Sequence, residues 1–353
     1  TIIESTTPVT VSSSPSPESC TDLHLVVGDG DLSFSSMLSA SCEEPLHLVA
    51  SVWEDEETHR IVYRDSTENK ETIRLNGQSV FFGIDATQLS SHFPGHLFDR
   101  ITFNFPHWKG KANNRANREL LDNFLASASK VLSPGGEIHI VLCDGQGGME
   151  ALHSRDWKLS WKAVAYAADH GLLLHQIDHF EVKYNKSSHR GVDRPFLVRG
   201  TPFRYVFGFP NGKPVAEKLQ IAFRHELRLI MDAERLALCP HTKEELCKGD
   251  SVEAILRQVT SNFPGIRAEA PIKDFVTTKH EQLSLLVFLV VYRGDSMPIT
   301  RDLAEELRAA VEAATKETLS LDIAKPGRMV STAFPYSMMQ SLIDERLEDL
   351  ASS

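Results

Sequence analysis

Two short segments, about seventy residues apart, constrain this chain more than any other feature. Val26-Val27-Gly28-Asp29-Gly30-Asp31-Leu32-Ser33-Phe34-Ser35 reads as a strand that breaks at a glycine turn and runs into a helix. Phe103-Asn104-Phe105-Pro106-His107 reads as a second strand ending in a polar, aromatic, proline corner. A glycine turn lets backbone approach a ligand closely, and the helix that follows offers unpaired N–H groups. Around these segments the pattern alternates: strands at Leu23–Val27, Leu46–Val52, Ser79–Ile84, Ile101–Phe105 and Glu137–Leu142, with helices from about Ser33 and over about Asn114–Leu132. Such alternation predicts a parallel sheet with helices on both faces, and strands near Leu172–Phe180 and Phe203–Phe209 bring it to seven.

At 353 residues the chain has room for two cores. Residues 1–20 are rich in Ser, Thr and Pro and lack Lys and Arg, which predicts a flexible arm. The α/β domain is expected over residues 21–212, a helical connector over 213–239, a small α+β domain over 240–323, and a tail with an amphipathic helix over 324–353. That last helix carries Met338, Met339, Leu342, Ile343, Leu347 and Leu350, a stripe that packs on its own protein or binds a partner. The longest apolar run, Leu283–Tyr292, is about half of what a bilayer requires, so no membrane contact is expected.

The net charge of −11 argues against a protein that simply coats nucleic acid. The charge is uneven, however: residues 183–204 carry Lys183, Lys186, Arg190, Arg194, Arg199 and Arg204 against the single acid Asp193. That strip is either a phosphate-binding surface or a solvated loop. Cys239, His241 and Cys247 lack a fourth ligand at suitable spacing, and no metal is expected.

Gly28-x-Gly30 lacks the third glycine of the dinucleotide fingerprint, which argues against a nicotinamide enzyme. A carboxylate near the end of the second strand can hold a ribose diol; Glu54 is the preferred candidate, a solvated loop acid the alternative. Asp85 can accept from an adenine amino group or cap the turn after it. At the Asn104 corner, the side-chain amide and the Phe105 carbonyl can accept from a planar N–H while an aromatic ring stacks on a base. A proline that merely ends a strand is the alternative.

These residues resemble the large-subunit rRNA uridine-N3 methyltransferase-like domain. The resemblance rests on Gly28 to Ser35, on Gly83-Ile84-Asp85-Ala86-Thr87-Gln88-Leu89, on Phe98 to His107, on Asn117-Arg118-Glu119-Leu120-Leu121 and on Gly136-Glu137-Ile138-His139-Ile140, in the same order. It covers residues 23–209 and implies a Rossmann-like fold, S-adenosylmethionine as donor and an RNA uridine as acceptor. By this resemblance Gly28, Asp29, Gly30, Ser33, Phe34, Ser35, Glu54 and Asp85 hold the cofactor. Asn104, Phe105, Pro106 and His107 orient and stack the base, Asp144 takes a proton, and Lys109, Lys111 and the strip at 183–204 bind phosphate. The family has Asp where this chain has Glu54, and a Tyr-Pro-Gly-Tyr-like segment where it reads Lys183-Tyr184-Asn185-Lys186.

Leu142 to Gly148, with Trp157 and Trp161, is similar to the branch fused to a ferredoxin-fold anticodon-binding domain. Leu285–Tyr292 and the helix after Thr300 resemble that added domain, implying a ferredoxin-like fold that binds RNA or docks protein. The expected function is rRNA uridine-N3 methylation in ribosome biogenesis. Its rival is a methyltransferase fold kept as an assembly factor that binds rRNA or ribosomal proteins. The Met-less start and the synthetase-like domain point to the mitochondrial matrix, the family resemblance to the nucleolus.

Overall fold

A computed structural model describes residues 22–41, 46–63, 66–111, 113–184, 196–198, 200–277, 284–324 and 333–352. The arm at 1–20 and the cations Lys186, Arg190, Arg194 and Arg199 lie outside them. The chain divides into two compact units, the first formed by residues 1–150 and 158–209, the second by 151–157 and 210–353.

From the start of the chain to residue 209 the elements run β1 (Asp22–Val27), α1 (Ser33–Ser41), β2 (Leu46–Ser51), α2 (Glu56–Val62), α3 (Ser66–Leu75), β3 (Ser79–Phe81), a 3-10 turn at Ala86–Gln88, α4 (Leu89–His92), β4 (Phe98–Asn104), α5 (Asn114–Ala128), β5 (Leu132–Leu142), α6 (Ser154–Leu159), α7 (Ala163–Asp169), β6 (Leu173–His179) and β7 (Phe203–Gly208), all in the first unit except the start of α6, whose residues 154–157 belong to the second. The seven strands are ordered β3-β2-β1-β4-β5-β7-β6. The first five pair in parallel and β7 runs antiparallel to both its neighbours. This is the expected Rossmann-like sheet with one reversed strand. Leu25, Val27, Ile101, Ile138 and Ile140 are buried with Leu121, Phe124, Leu125 and Ala128 of α5, so the apolar stripe of that helix is a core face.

Two helices depart from the expectation. α5 ends at Ala128, because Ser129 closes its last turn onto the Leu125 carbonyl and Leu132 is taken up by pairing with Phe98. The other departure is in the stretch from Trp157 to Ala168, where Trp157, Trp161, Val164 and Ala168 read as one helix but the chain is broken into α6 and α7 at Lys162, which lies in the left-handed region at φ 55°. Arg118 explains the break, since its guanidinium takes the carbonyls of Lys158 and Ser160 and leaves them unavailable to a continuing helix.

The second unit comprises β8 (Ile221–Ile230), α8 (Ala233–Leu236), α9 (Lys243–Lys248), α10 (Asp250–Thr260), β9 (Ile266–Thr277), β10 (Ser284–Gly294), α11 (Arg301–Leu319), β11 (Phe334–Pro335) and α12 (Tyr336–Ser352). The helical connector expected over 213–239 is corrected: its centre is β8, an inner strand of an antiparallel sheet ordered β11-β8-β10-β9. The residues explain why. Phe223, His225, Leu227 and Leu229 alternate with the less buried Arg224, Glu226 and Arg228, a period of two rather than 3.6. With β8 as first strand, β8-α10-β9-β10-α11 makes a ferredoxin-like βαββα unit, and the fourth strand shrinks to a bridge from Ile323 to Leu229.

The tail helix packs on this unit. Met339, Ile343 and Tyr336 bury against Ala222, Ile272 and Val291 on one sheet face. Arg293 ties the seam, lying over the Tyr336 ring at 4.3 Å while pairing with Glu217 at 2.6 Å. Met339 is fully buried, so Met339→Ala should lower the unfolding free energy by about 2–4 kcal/mol in denaturant melts.

Candidate functional site

β1 lies where the chain's strand order turns from β2 and β3 on one side to β4 and β5 on the other. A crevice forms at the carboxyl ends of strands at such a point, and both opening segments of the sequence end there. Val27 pairs with Phe103, which sets Gly28 beside Asn104. Gly28 has φ 62°, and a Cβ there would stand 2.7 Å from the Phe103 ring, so glycine is required on two independent grounds.

The turn is tied down from behind. His59 of α2 donates from Nε2 to the Gly30 carbonyl at 2.6 Å, and Asn69 of α3 donates to the Asp31 carbonyl at 2.9 Å. The sequence reading missed both residues, because each acts through backbone from a helix that carries no motif.

The acids of the turn face inward. Asp31 accepts from the Ser33 N–H at 3.1 Å and Asp29 from the Ser35 N–H at 2.7 Å. The first N–H groups of α1 are therefore answered by carboxylates of the chain itself. Burial pushes the Asp29 carboxyl up to about 7, the neighbouring Asp31 adds to that rise, and its contacts with Ser35 oppose it. Asp29 as a whole is only half-buried, which tempers the effect. A turn lined with two acids that already answer the Ser33 and Ser35 N–H groups disfavours phosphate and suits a cation.

Glu54 sits half-buried beyond β2, its carbonyl accepting from the Gly83 N–H at 2.8 Å. Asp55 beside it caps α2 through Thr58. Asp85 is a turn cap: one oxygen takes the Thr87 N–H and hydroxyl at 2.8 and 2.7 Å, the other Gln88 Nε2 at 3.3 Å. Its local acceptor capacity is thus largely used, which favours the capping alternative over an adenine contact.

At the end of β4 the Asn104 side-chain N and O are sealed from solvent, and neither makes a hydrogen bond of ordinary geometry. The Tyr184 hydroxyl faces them. Phe105 follows at φ 50°, a strained value for a bulky side chain, and its ring lies 5.3 Å from Phe196 and 6.3 Å from Phe180. Pro106 is buried and His107 exposed, its Nδ1 held at 2.5 Å by the Trp108 carbonyl. Trp53, 48% exposed, carries Lys109 over its ring at 5.7 Å.

Several expected residues are placed elsewhere. Asp144 is an exposed loop acid packed against the backbone at Gly200, a poor position for a proton acceptor. Lys183 pairs with Glu181 at 3.1 Å, and Arg204 is a β7 residue paired with Asp178 at 2.7 Å, so both described members of the basic strip are engaged with neighbouring acids. Lys109 and Lys111 are exposed. Among the described residues no His, Cys, Asp or Glu cluster could hold a metal, and no helix is long and apolar enough to cross a membrane.

Residues 25–191 match a family model described as rRNA (uridine-N3-)-methyltransferase BTM5-like. The chain is 38% identical over 193 residues to the mouse ferredoxin-fold anticodon-binding domain-containing protein 1 homolog and 39% identical over 185 residues to the human protein of that name. Those matches cover 52% and 50% of this chain but 30% and 29% of the relatives, so the chain spans under a third of their length. The solved structure of TrmN from Thermus thermophilus aligns at 17% identity and a TM-score of 0.33, covering 53% of this chain and 44% of that one.

Two outcomes test the turn. Gly28→Ala should cost at least about 2 kcal/mol in thermal or denaturant melts, since strain and overlap with Phe103 add. Asp29 keeps its proton when folded at pH values where an unfolded Asp, at 3.8, has lost it, so its contribution to stability falls as pH rises from about 4 to about 7. Asp29→Asn removes that loss. Between about pH 5 and pH 8 the variant should drop less in melting temperature than the parent, a difference on the order of 1–2 kcal/mol after allowing for partial exposure.

Proposed function

From the match of residues 25–191 to a BMT5-like methyltransferase family model, we propose that the chain is an S-adenosylmethionine-dependent enzyme whose acceptor is uridine N3 in ribosomal RNA, acting during ribosome maturation. The observation that carries the donor assignment is the acidic turn, in which Asp29 and Asp31 already answer N–H groups at the start of α1. A pyrophosphate at the start of α1 would have to displace the carboxylates that already answer the Ser33 and Ser35 N–H groups. When bound, S-adenosylmethionine supplies an electrophilic methyl group and two positive centres. Asp29 suits the cationic end of that molecule, and Glu54, half-buried after β2, suits a ribose diol.

Uridine N3 must lose its proton before it attacks, and the methyl arrives along the same in-plane direction the proton left. No protein acceptor can then remain on N3, which revises the role expected for the Asn104 carbonyl oxygen and for the Phe105 carbonyl. The Asn104 N–H serves instead as a donor to a flanking uracil carbonyl, where charge develops as N3 ionises. Phe105, Phe180 and Phe196 offer ring faces to a base. A base stacked in a duplex would have to be flipped out, so a loop uridine is the favoured acceptor.

Cofactor affinity measured by calorimetry should rise with pH through about 7, as Asp29 ionises, and Asp29→Asn should weaken it by about tenfold or more. A flat pH dependence removes Asp29 from the site. Asn104→Ala should lower methyl transfer by a factor on the order of one hundred while cofactor affinity stays within a few-fold. Reverse-transcription stops on rRNA from cells with and without the protein locate the product, because an N3 methyl blocks the pairing edge; identical patterns count against the reading.

A further inference from the structure

Tyr184 sits where the reading above has no role for it. Its ring packs at 5.2 Å on Phe34, the second residue of α1, within a cluster that includes Val26, Leu48, Met37, Leu38 and Phe180. Its hydroxyl interacts with the side chain of Asn104, whose N and O are buried and make no hydrogen bond of ordinary geometry. A ring fixed against the cofactor turn thus carries a polar tip to the acceptor corner. Asn104 N–H and Tyr184 O–H are two donors converging on one place, and between them they would enclose an edge that carries two acceptors.

Resting on the uridine-N3 reading, we propose that Tyr184 is the second donor of the acceptor site: its hydroxyl and the Asn104 N–H hold the two carbonyl oxygens that flank N3, selecting the imide edge of uracil. The chemistry balances without a protein base. N3 gives its proton to solvent, negative charge spreads onto O2 and O4 under the two donors, and the N3–methyl bond forms as the sulfur–methyl bond breaks. Cytosine is disfavoured because an amino group replaces one of its carbonyls, and guanine because its N1–H has an amino group on one side. The phenol must stay protonated to donate. Burial pushes it up, and the carboxylates of Asp29 and Asp31, the charged groups that face it, push it further, while the Asn104 contact opposes them.

Tyr184→Phe in the full chain keeps the ring on Phe34 and removes the hydroxyl alone. Saturated turnover on a uridine-containing RNA at about pH 7 should fall by roughly 10–100-fold, with cofactor affinity within about twofold of the parent. The pH–rate profile should move up by about one to two units, so that the deficit narrows in alkaline solution, where more N3 is already ionised. Discrimination against cytidine should shrink alongside. If Tyr184→Phe keeps the parent's rate and profile while Tyr184→Ala fails, the ring contact is what matters and the inference is overturned. Collapse of cofactor binding in Tyr184→Phe overturns it as well. Uridine methylation by the parent with an unaltered Tyr184→Phe sinks this inference alone, whereas guanosine or amide methylation by the parent sinks the uridine reading and this inference with it.

Discussion

The close approach of Gly28 to the Phe103 ring is the constraint on which the site depends. It brings the ends of β1 and β4 together at the reversal of strand order, so that the turn after one strand and the corner after the other face a common space. A side chain at position 28 would push the two apart, and neither Asp29 nor Asn104 would then face the crevice. The turn is stiffened from outside by His59 and Asn69 and from inside by its own two carboxylates. Its shape thus exists before any ligand arrives, which lowers the ordering cost of binding.

The second unit solves a different problem. A ferredoxin-like sheet whose fourth strand is reduced to the bridge at Ile323 leaves much of the β8 edge open. β11 pairs with Ile221 and Ala222 along that edge, and α12 lays Met339 and Ile343 over the adjacent sheet face. The helix that reads in isolation as a possible partner-binding element is therefore used in closing a sheet.

Legibility followed the range of the interactions involved. The seven strands were readable because each depends on local period, whereas the reversal of β7 was not. β8 was not read, because its polar alternates Arg224, Glu226 and Arg228 look like a helix surface until the buried set between them is counted as alternation. For a related reason, a tally of cations along the chain does not show that Lys183 faces Glu181 or that Arg204 faces Asp178 across two paired strands. Asp85 was legible as two alternatives, and only the fold could show its oxygens turned onto Thr87 and Gln88. Tyr184 was visible only as a departure in a loop, since its meaning lies in two contacts, Phe34 and Asn104, that are remote in sequence.

These corrections bear on how such a site could recognise RNA. Lys183 and Arg204 each face an acid and the chain as a whole carries a net charge of −11, unlike the strongly basic binders whose affinity is dominated by counterion release. In the proposed reading selectivity comes from the pocket: the strained Phe105, which turns its ring toward Phe180 and Phe196, and the sealed Asn104 amide, whose burial without an ordinary partner is unfavourable until an edge of the right pattern enters. Strain and an unanswered amide at the same corner weaken the resting protein, and the natural compensation is a ligand that relieves at least one of them. A planar base bearing a carbonyl does so, by accepting from the amide while its face meets the rings, whereas a phosphate, attracted by distant lysines, would do neither.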